Sequence, residues 1–472
     1  MSGVLLTHWL KARLYRFLGS RAFRSHRTET ALANFQKAAK QEPENVHTMV
    51  EIARCLYQLA DYPGAIEKCD EALSRKPAYA AAHAYRALAL SEVDRVQEAV
   101  DELQRALRIG LHVEEKERGF WEGKLGAGLG NLGRYEEAIG PLRRSIELVP
   151  NDPDTRYELG RAYGELQRFQ EAVEELQESI RLDPKWPTSH FALGVCYAGM
   201  GQFDSAVESY FQAIKLAPDD ANTHYNLGVA YGDLGRVDEE ISEYRKAIDI
   251  EPGDCAALIN LAIAYSRSGR CESAIEIWKR LIALRPDSIE AHTSLSMDYE
   301  RLGRFQDALD VAQEIERISP NAIASGNVAV FLNRLGHFDA ALLKAREAMC
   351  FDPTHPDPHL SAGFALQGLS DHKAAICEYQ KAIELKPDLL LALVNLGNAH
   401  LELGRSQEAV APLKRAIELN PDCVDAHDNL GLAHLKNGDR EAAMEELHTI
   451  ERLDPTFDSA LRQQLAEGGQ SD

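Results

Sequence analysis

No two of the eight cysteines are spaced as CxxC, and no Asn-x-Ser/Thr acceptor occurs anywhere in the chain. Cys55, Cys69, Cys196, Cys255, Cys271, Cys350, Cys377 and Cys423 are scattered along it. That is the spacing of small, buried, reduced thiols in a cytoplasmic protein, not of a disulfide framework or a metal knuckle. Positive charge is also in short supply: 52 Lys and Arg against 74 Asp and Glu give a net charge of −22. Such a surface repels nucleic-acid phosphates and anionic lipid, so either would require a local basic patch. Long apolar runs are missing, which argues against a membrane-spanning helix. Aromatic residues reach only 7%. Apolar content of 45% with 27% charged residues is still that of a folded chain.

What the sequence has is repetition. Prolines 43, 77, 150, 184, 218, 252, 286, 320, 353, 387, 421 and 455 punctuate it, and nine of the eleven intervals are 34 residues. Residues 187–220, PTSHFALGVCYAGMGQFDSAVESYFQAIKLAPDD, show the unit. Apolar spacing near 3.6 predicts one helix over 188–199 and another over 203–216. Gly201 breaks the pattern between them and Pro218 ends the second. Thirteen such units start at residues 12, 46, 80, 119, 153, 187, 221, 255, 289, 322, 356, 390 and 424. Position 8 of the unit is Gly, Ala or Ser in all thirteen, and position 20 is Ala in twelve, Glu240 being the exception. Small residues there, as at Gly194 and Ala206, let two antiparallel helices approach closely. A carboxylate at Glu240 is expected to escape to water or to spread its helix pair.

The pattern His190-x2-Leu193-Gly194-x2-Tyr197, then Ala206-x3-Tyr210, then Pro218, resembles the tetratricopeptide (TPR) repeat, with His190 in the place of the usual Trp. The resemblance covers residues 12–457. It implies an all-α right-handed solenoid superhelix of about thirteen helix hairpins, in which each hairpin buries its apolar faces against its neighbours. The expected divisions are a basic amphipathic capping segment at 1–11, repeats 1–3 at 12–111 and a junction at 112–118. Repeats 4–13 follow at 119–457, then a capping helix at 458–467 and a disordered tail at 468–472. The five extra residues of the junction are expected to separate two solenoid segments, with the next helix starting near Val113. Asp458 is the expected cap of the last helix, with Ala460, Leu461 and Leu465 facing inward.

No catalytic constellation emerges, because Ser, His and carboxylates follow the repeat. About eleven residues precede the repeats and fifteen follow, so no catalytic domain is expected. Gly128-Leu-Gly130-Asn-Leu-Gly133 has the GxGxxG spacing, but no strand precedes it and no dinucleotide is assigned. His83, His190, His224, His292, His359 and His427 share position 4. They stand a repeat or more apart, too far to share a metal, and read as packing residues. No cofactor is expected.

In the TPR family the first helices line a concave face, and positions 2, 5, 6, 9, 12 and 13 point into it. Position 6 reads Asn226, Asn260, Ser294, Asn327, Ser361, Asn395 and Asn429. An Asn amide both donates and accepts, so a row of them can pair with an extended peptide backbone. The row is similar to the asparagine ladder in the TPR region of the O-linked N-acetylglucosamine transferases, here without a catalytic domain. The amides of Asn260, Asn327 and Asn395 are expected to be open to a ligand. Phe191, Tyr225, Ile259, Leu360 and Val394 at position 5, with Val195, Val229, Ile263, Met297, Val330, Phe364 and Leu432 at position 9, supply apolar walls. Asn398 and Asn429 match the middle of the carboxylate clamp of Hsp70/Hsp90 co-chaperones, but Val394, Ser459 and Gln463 occupy its basic positions.

The remaining unusual stretch is the start. Lys11, Arg13, Arg16, Arg21, Arg24 and Arg27 precede the first acid, Glu29, among Val4, Leu5, Leu6, Trp9, Leu10, Leu14, Phe17 and Leu18. A cap, a helix on an anionic membrane and a mitochondrial presequence all fit that pattern. Three functions follow: a cytoplasmic, non-catalytic scaffold or adaptor holding peptide or protein partners, a membrane-associated assembly factor, and a substrate-presenting subunit of an enzyme encoded elsewhere.

Overall fold

The computed structural model describes residues 3–110 and 113–468, with side chains for 8–110 and 113–466. The side chains of Val4, Leu5 and Leu6, residue His112 of the junction and the tail from 469 lie outside the described residues. Among the described residues the chain forms 27 α-helices and no strand. The stretch 187–220 becomes the helices Pro187–Gly199 and Phe203–Leu216. The same hairpin recurs throughout, giving the expected all-α solenoid. Helices group into two compact units, 1–252 with seven hairpins and 253–472 with six hairpins and a last single helix.

The hairpins turn at position 15, where φ is positive in all thirteen. Glycine supplies this left-handed conformation at eight of them, and His26, Ala60, Asp94, Gln167 and Ser370 adopt it at φ of 53–62°. Several first helices start with an Asx or Ser cap, as where Asp254 accepts from the backbone N–H of Ala256 and Ala257. The small residue at position 8 has a more specific partner than expected. A Cβ on Gly194 would stand 2.5 Å from the Tyr210 ring, and one on Gly397 would stand 2.4 Å from Leu413 Cγ. Each glycine therefore seats the large side chain at position 24 of its own hairpin.

Glu240 does not escape to water. It is buried, and a Cβ on Gly232 would lie 2.9 Å from its Oε1, so the missing side chain of Gly232 makes its room. The cysteines depart from expectation in part: Cys55, Cys69, Cys196 and Cys271 are buried, but Cys350 and Cys377 are exposed.

The units do not divide at the junction. The helix after it, Glu115–Asn131, starts two residues later than expected and carries Trp121. Trp121 is 2% exposed and meets the Tyr85 ring edge-on at 5.5 Å. One buried cluster runs from Ala84 through Trp121 to Cys196, so the inserted residues are bridged by packing. In the second unit the last helix, Ala460–Gly468, is capped by Ser459 and not by Asp458: Ser459 Oγ accepts from the N–H of Arg462 at 3.1 Å. Leu461 and Leu465 face the core, while Ala460 is exposed.

Candidate functional site

Each unit presents its first helices as a row. In the first unit Tyr225, Asn226 and Val229 share the helix Ala221–Asp233 and are half-buried. The Tyr225 ring lies 5.8 Å from that of Tyr244. The Asn226 amide is already used, donating to the Asn222 carbonyl at 2.8 Å. The row there is held by its own helix.

The second unit carries the more open surface. Ile263, Met297, Val330 and Phe364, all at position 9 of successive hairpins, are 46%, 50%, 37% and 46% exposed. This apolar stripe links three cavities of about 260, 240 and 250 Å³; Met297 lines the first two and Val330 the second and third. The third cavity takes Val330, Leu360, Phe364 and Leu391 as apolar walls. Its polar groups are Asn333, Ser361 and Asn395, and its one charged lining residue is Arg334. Every one of these occupies position 2, 5, 6, 9, 12 or 13.

The polar groups differ in what they can still do. Asn327 is exposed, Asn395 is half-buried, and the amide of neither has a hydrogen bond among the described residues. Asn260 and Ile259 are half-buried, and Asn260 already has an interaction within the chain, so its amide is not open as expected. Asn398 accepts from Gln367 Nε2 at 2.7 Å and donates to Asn429 Oδ1 at 3.3 Å, while Tyr379 donates to Gln367 Oε1 at 2.9 Å. The ladder is thus a prewired relay at one end and two open amides in the middle. Val394 and Leu432 are buried in core clusters and form no groove wall.

Asn333, at position 12, was not singled out by the sequence pattern. It is 8% exposed, and its Nδ2 donates to the Ser361 carbonyl at 2.9 Å. Its Oδ1 is buried without a partner among the described residues. An orphaned acceptor costs on the order of 1–3 kcal/mol, which a ligand N–H entering the cavity would recover. The available signal was Asn at position 12 of this one repeat.

Charge sits at position 13. Arg267, Arg301 and Arg334 follow one another in three hairpins. Arg301 pairs with Asp298 at 3.3 Å, and Arg267 has a partner of its own. Arg334 stacks at 6.0 Å from the Phe305 ring centroid and pairs with no carboxylate among the described residues. Asp298, 1% exposed, is committed inward: it accepts from Ser266 Oγ at 2.5 Å and Trp278 Nε1 at 3.0 Å. Burial, and then Asp298, pushes the Cys271 thiol up from its ordinary value, so it offers no thiolate nucleophile.

The position-4 histidines do more than pack. His224 faces Glu243 at 2.6 Å through Nδ1 and the Pro218 carbonyl at 3.1 Å through Nε2. His83 has the same arrangement with Glu102 and Pro77, and His427 with Glu446 and Pro421. His359 keeps only the acid, Glu378, at 2.7 Å. In each case the carboxylate comes from position 23 of the same hairpin. Among the described residues no cluster of three or more His, Cys, Asp or Glu could hold a metal.

The sequence matches family models of the tetratricopeptide repeat. One, described as TPR repeat, matches residues 131–167, 160–201, 197–235, 368–404 and 397–438. Two others, described as tetratricopeptide repeat, match 18–80 with 259–323, and 221–254. Together they take in more than half of the chain. No curated protein sequence matches it. Among solved structures, the APC/C hetero-tetramer Cut9-Hcn1 is similar at 14% identity, with 96% of each chain covered and a TM-score of 0.41. Yeast Tom70 is similar at 16% identity over 97% of this chain and 99% of that one, TM-score 0.33. YrrB, a TPR protein with an unusual peptide-binding site, matches at 25% identity over 40% of this chain and 95% of its own, TM-score 0.37.

Proposed function

Because the chain belongs to the tetratricopeptide-repeat family, we propose that it is a non-catalytic scaffold whose second unit holds an extended partner peptide along its first helices. The observation that carries this is the third cavity: exposed Phe364 and Leu391 beside an acceptor on Asn333 and an Arg334 that have, among the described residues, no hydrogen-bond donor and no carboxylate respectively. Apolar side chains of a peptide would cover the stripe, each contributing about 1–2 kcal/mol. Backbone groups would meet Asn327, Asn333 and Asn395, which fixes an extended conformation without reading side chains. Arg334 adds a preference for an acidic residue next to a large apolar one. Several such weak contacts along one chain hold partners at high effective concentration.

Selection of random extended peptides on the full chain tests this. Enriched peptides should pair an acid with a neighbouring large apolar residue and should bind Phe364→Ser and Arg334→Gln less well. Peptides that bind both variants as well as the parent would place the partner surface elsewhere.

A further inference from the structure

The first helix, Gly3–Arg24, packs on its hairpin partner through Ala12, Gly19 and Ala22, which are buried. Away from that face, at helical spacing, stand Leu10, Leu14 and Phe17, with Leu18 at its margin, between 37% and 57% exposed. Trp9, 45% exposed, stands beyond Arg13 on the flank of the stripe, with the Arg13 guanidinium 5.4 Å from its ring. Lys11 borders the stripe on one side, Arg13 and Arg24 on the other, and Arg21 lies at its end. Apart from Arg16, which pairs with Glu42, none of these cations pairs with a carboxylate among the described residues. The first 28 residues hold no acid at all, in a chain of net charge −22.

We propose that this face is a binding site for an anionic lipid surface, on which the helix lies in the plane of the membrane. The argument is charge together with geometry. An apolar arc flanked by cations is what an interfacial helix presents, its apolar side chains below the headgroups and its Lys and Arg among them. The rest of the acidic surface is repelled by the same lipid, so attachment is confined to this helix and is weakened by salt. Among the described residues no helix is long and apolar enough to cross a membrane, so contact would be in-plane.

The test is flotation of the full chain with vesicles of phosphatidylcholine alone and with phosphatidylserine added. The chain should float with the anionic vesicles, weakly with the neutral ones, and less as salt is raised. A Leu14→Trp variant should add an emission that brominated lipid quenches. Leu14→Glu with Phe17→Glu should lower partitioning by roughly tenfold or more with an unchanged melt, since both side chains are exposed. Lys11→Gln with Arg13→Gln and Arg21→Gln should remove the preference for anionic lipid. No flotation of the parent, or equal flotation of the glutamate variant, overturns the proposal. So does a lipid-free dimer that the glutamate variant dissociates together with loss of flotation, which would make a second copy the occupant.

Discussion

His224 Nδ1 lies 2.6 Å from Glu243 Oε2, and both side chains are buried between the two helices of one hairpin. The other ring nitrogen faces the Pro218 carbonyl. A carboxylate and a carbonyl only accept, so the ring satisfies both by carrying both protons. The hydrogen bond to Glu243 accordingly raises the His224 value above its ordinary 6.5, against burial, which lowers it. Burial pushes Glu243 up, but hydrogen bonds from His224 and Lys246 hold it below its ordinary 4.5.

A pH dependence follows with a definite sign. A raised histidine stabilises the fold fully below its unfolded value and loses that contribution as pH rises through the folded one. The lowered Glu243 does the reverse on the acid side, losing its contribution as pH falls. His400, whose value burial lowers, works in the opposite sense, so the His224 contribution is the part of the change between about pH 6 and about pH 9 that His224 alone carries, a fall in the melting midpoint. His224→Gln should flatten that slope in circular dichroism melts. An unchanged slope would assign the titration to other groups.

Gly232 and Glu240 should be energetically coupled. Gly232→Ala brings a methyl into the space of the Glu240 carboxylate and should cost about 1–3 kcal/mol. In a Glu240→Ala background that cost should shrink by about 1 kcal/mol or more. Additive effects in denaturant melts of the double-mutant cycle would show that the contact is relaxed in solution.

Strain at the hairpin turns offers a stabilising change. Ala60 and Gln167 hold φ of 59° and 58° where eight other repeats use glycine. Ala60→Gly and Gln167→Gly should each raise stability by about 0.5–1 kcal/mol, the relief of left-handed strain less the entropy gained by the unfolded chain. Gly201→Ala should lower it by a similar amount.

Trp121 should be indispensable to the junction. It is buried against Tyr85, across the one insertion in the repeat. Trp121→Ala should cost about 3–5 kcal/mol, with faster hydrogen exchange in both flanking hairpins. A loss confined to its own hairpin would mean that the two sides were never coupled.

The groove amides can be separated from folding. Asn327→Ala with Asn395→Ala should leave the melt unchanged and weaken a selected peptide by about 1–3 kcal/mol in titration calorimetry. Asn398→Ala should instead disturb the relay through Gln367 and Asn429, and so move the melt.

The sequence by itself determined the repeat: its 34-residue period, both helices of each hairpin, and the glycine that turns them. These are local, carried by apolar spacing and by backbone preference, so they read directly from residues such as Gly194, Gly201 and Pro218. It also marked the row at positions 6 and 9. What it could not decide was which members of that row remain available. Asn226, Asn398 and Asn429 are engaged by neighbours, while Asn327 and Asn395 have open amides. Val394 is buried, whereas Phe364 is exposed. Likewise the histidine–glutamate pairs, the orphaned acceptor of Asn333 and the lodging of Glu240 over Gly232 depend on contacts between residues 8 to 28 positions apart. Such contacts exist only once helices are packed, because position in a repeat fixes the direction of a side chain but not what stands opposite it.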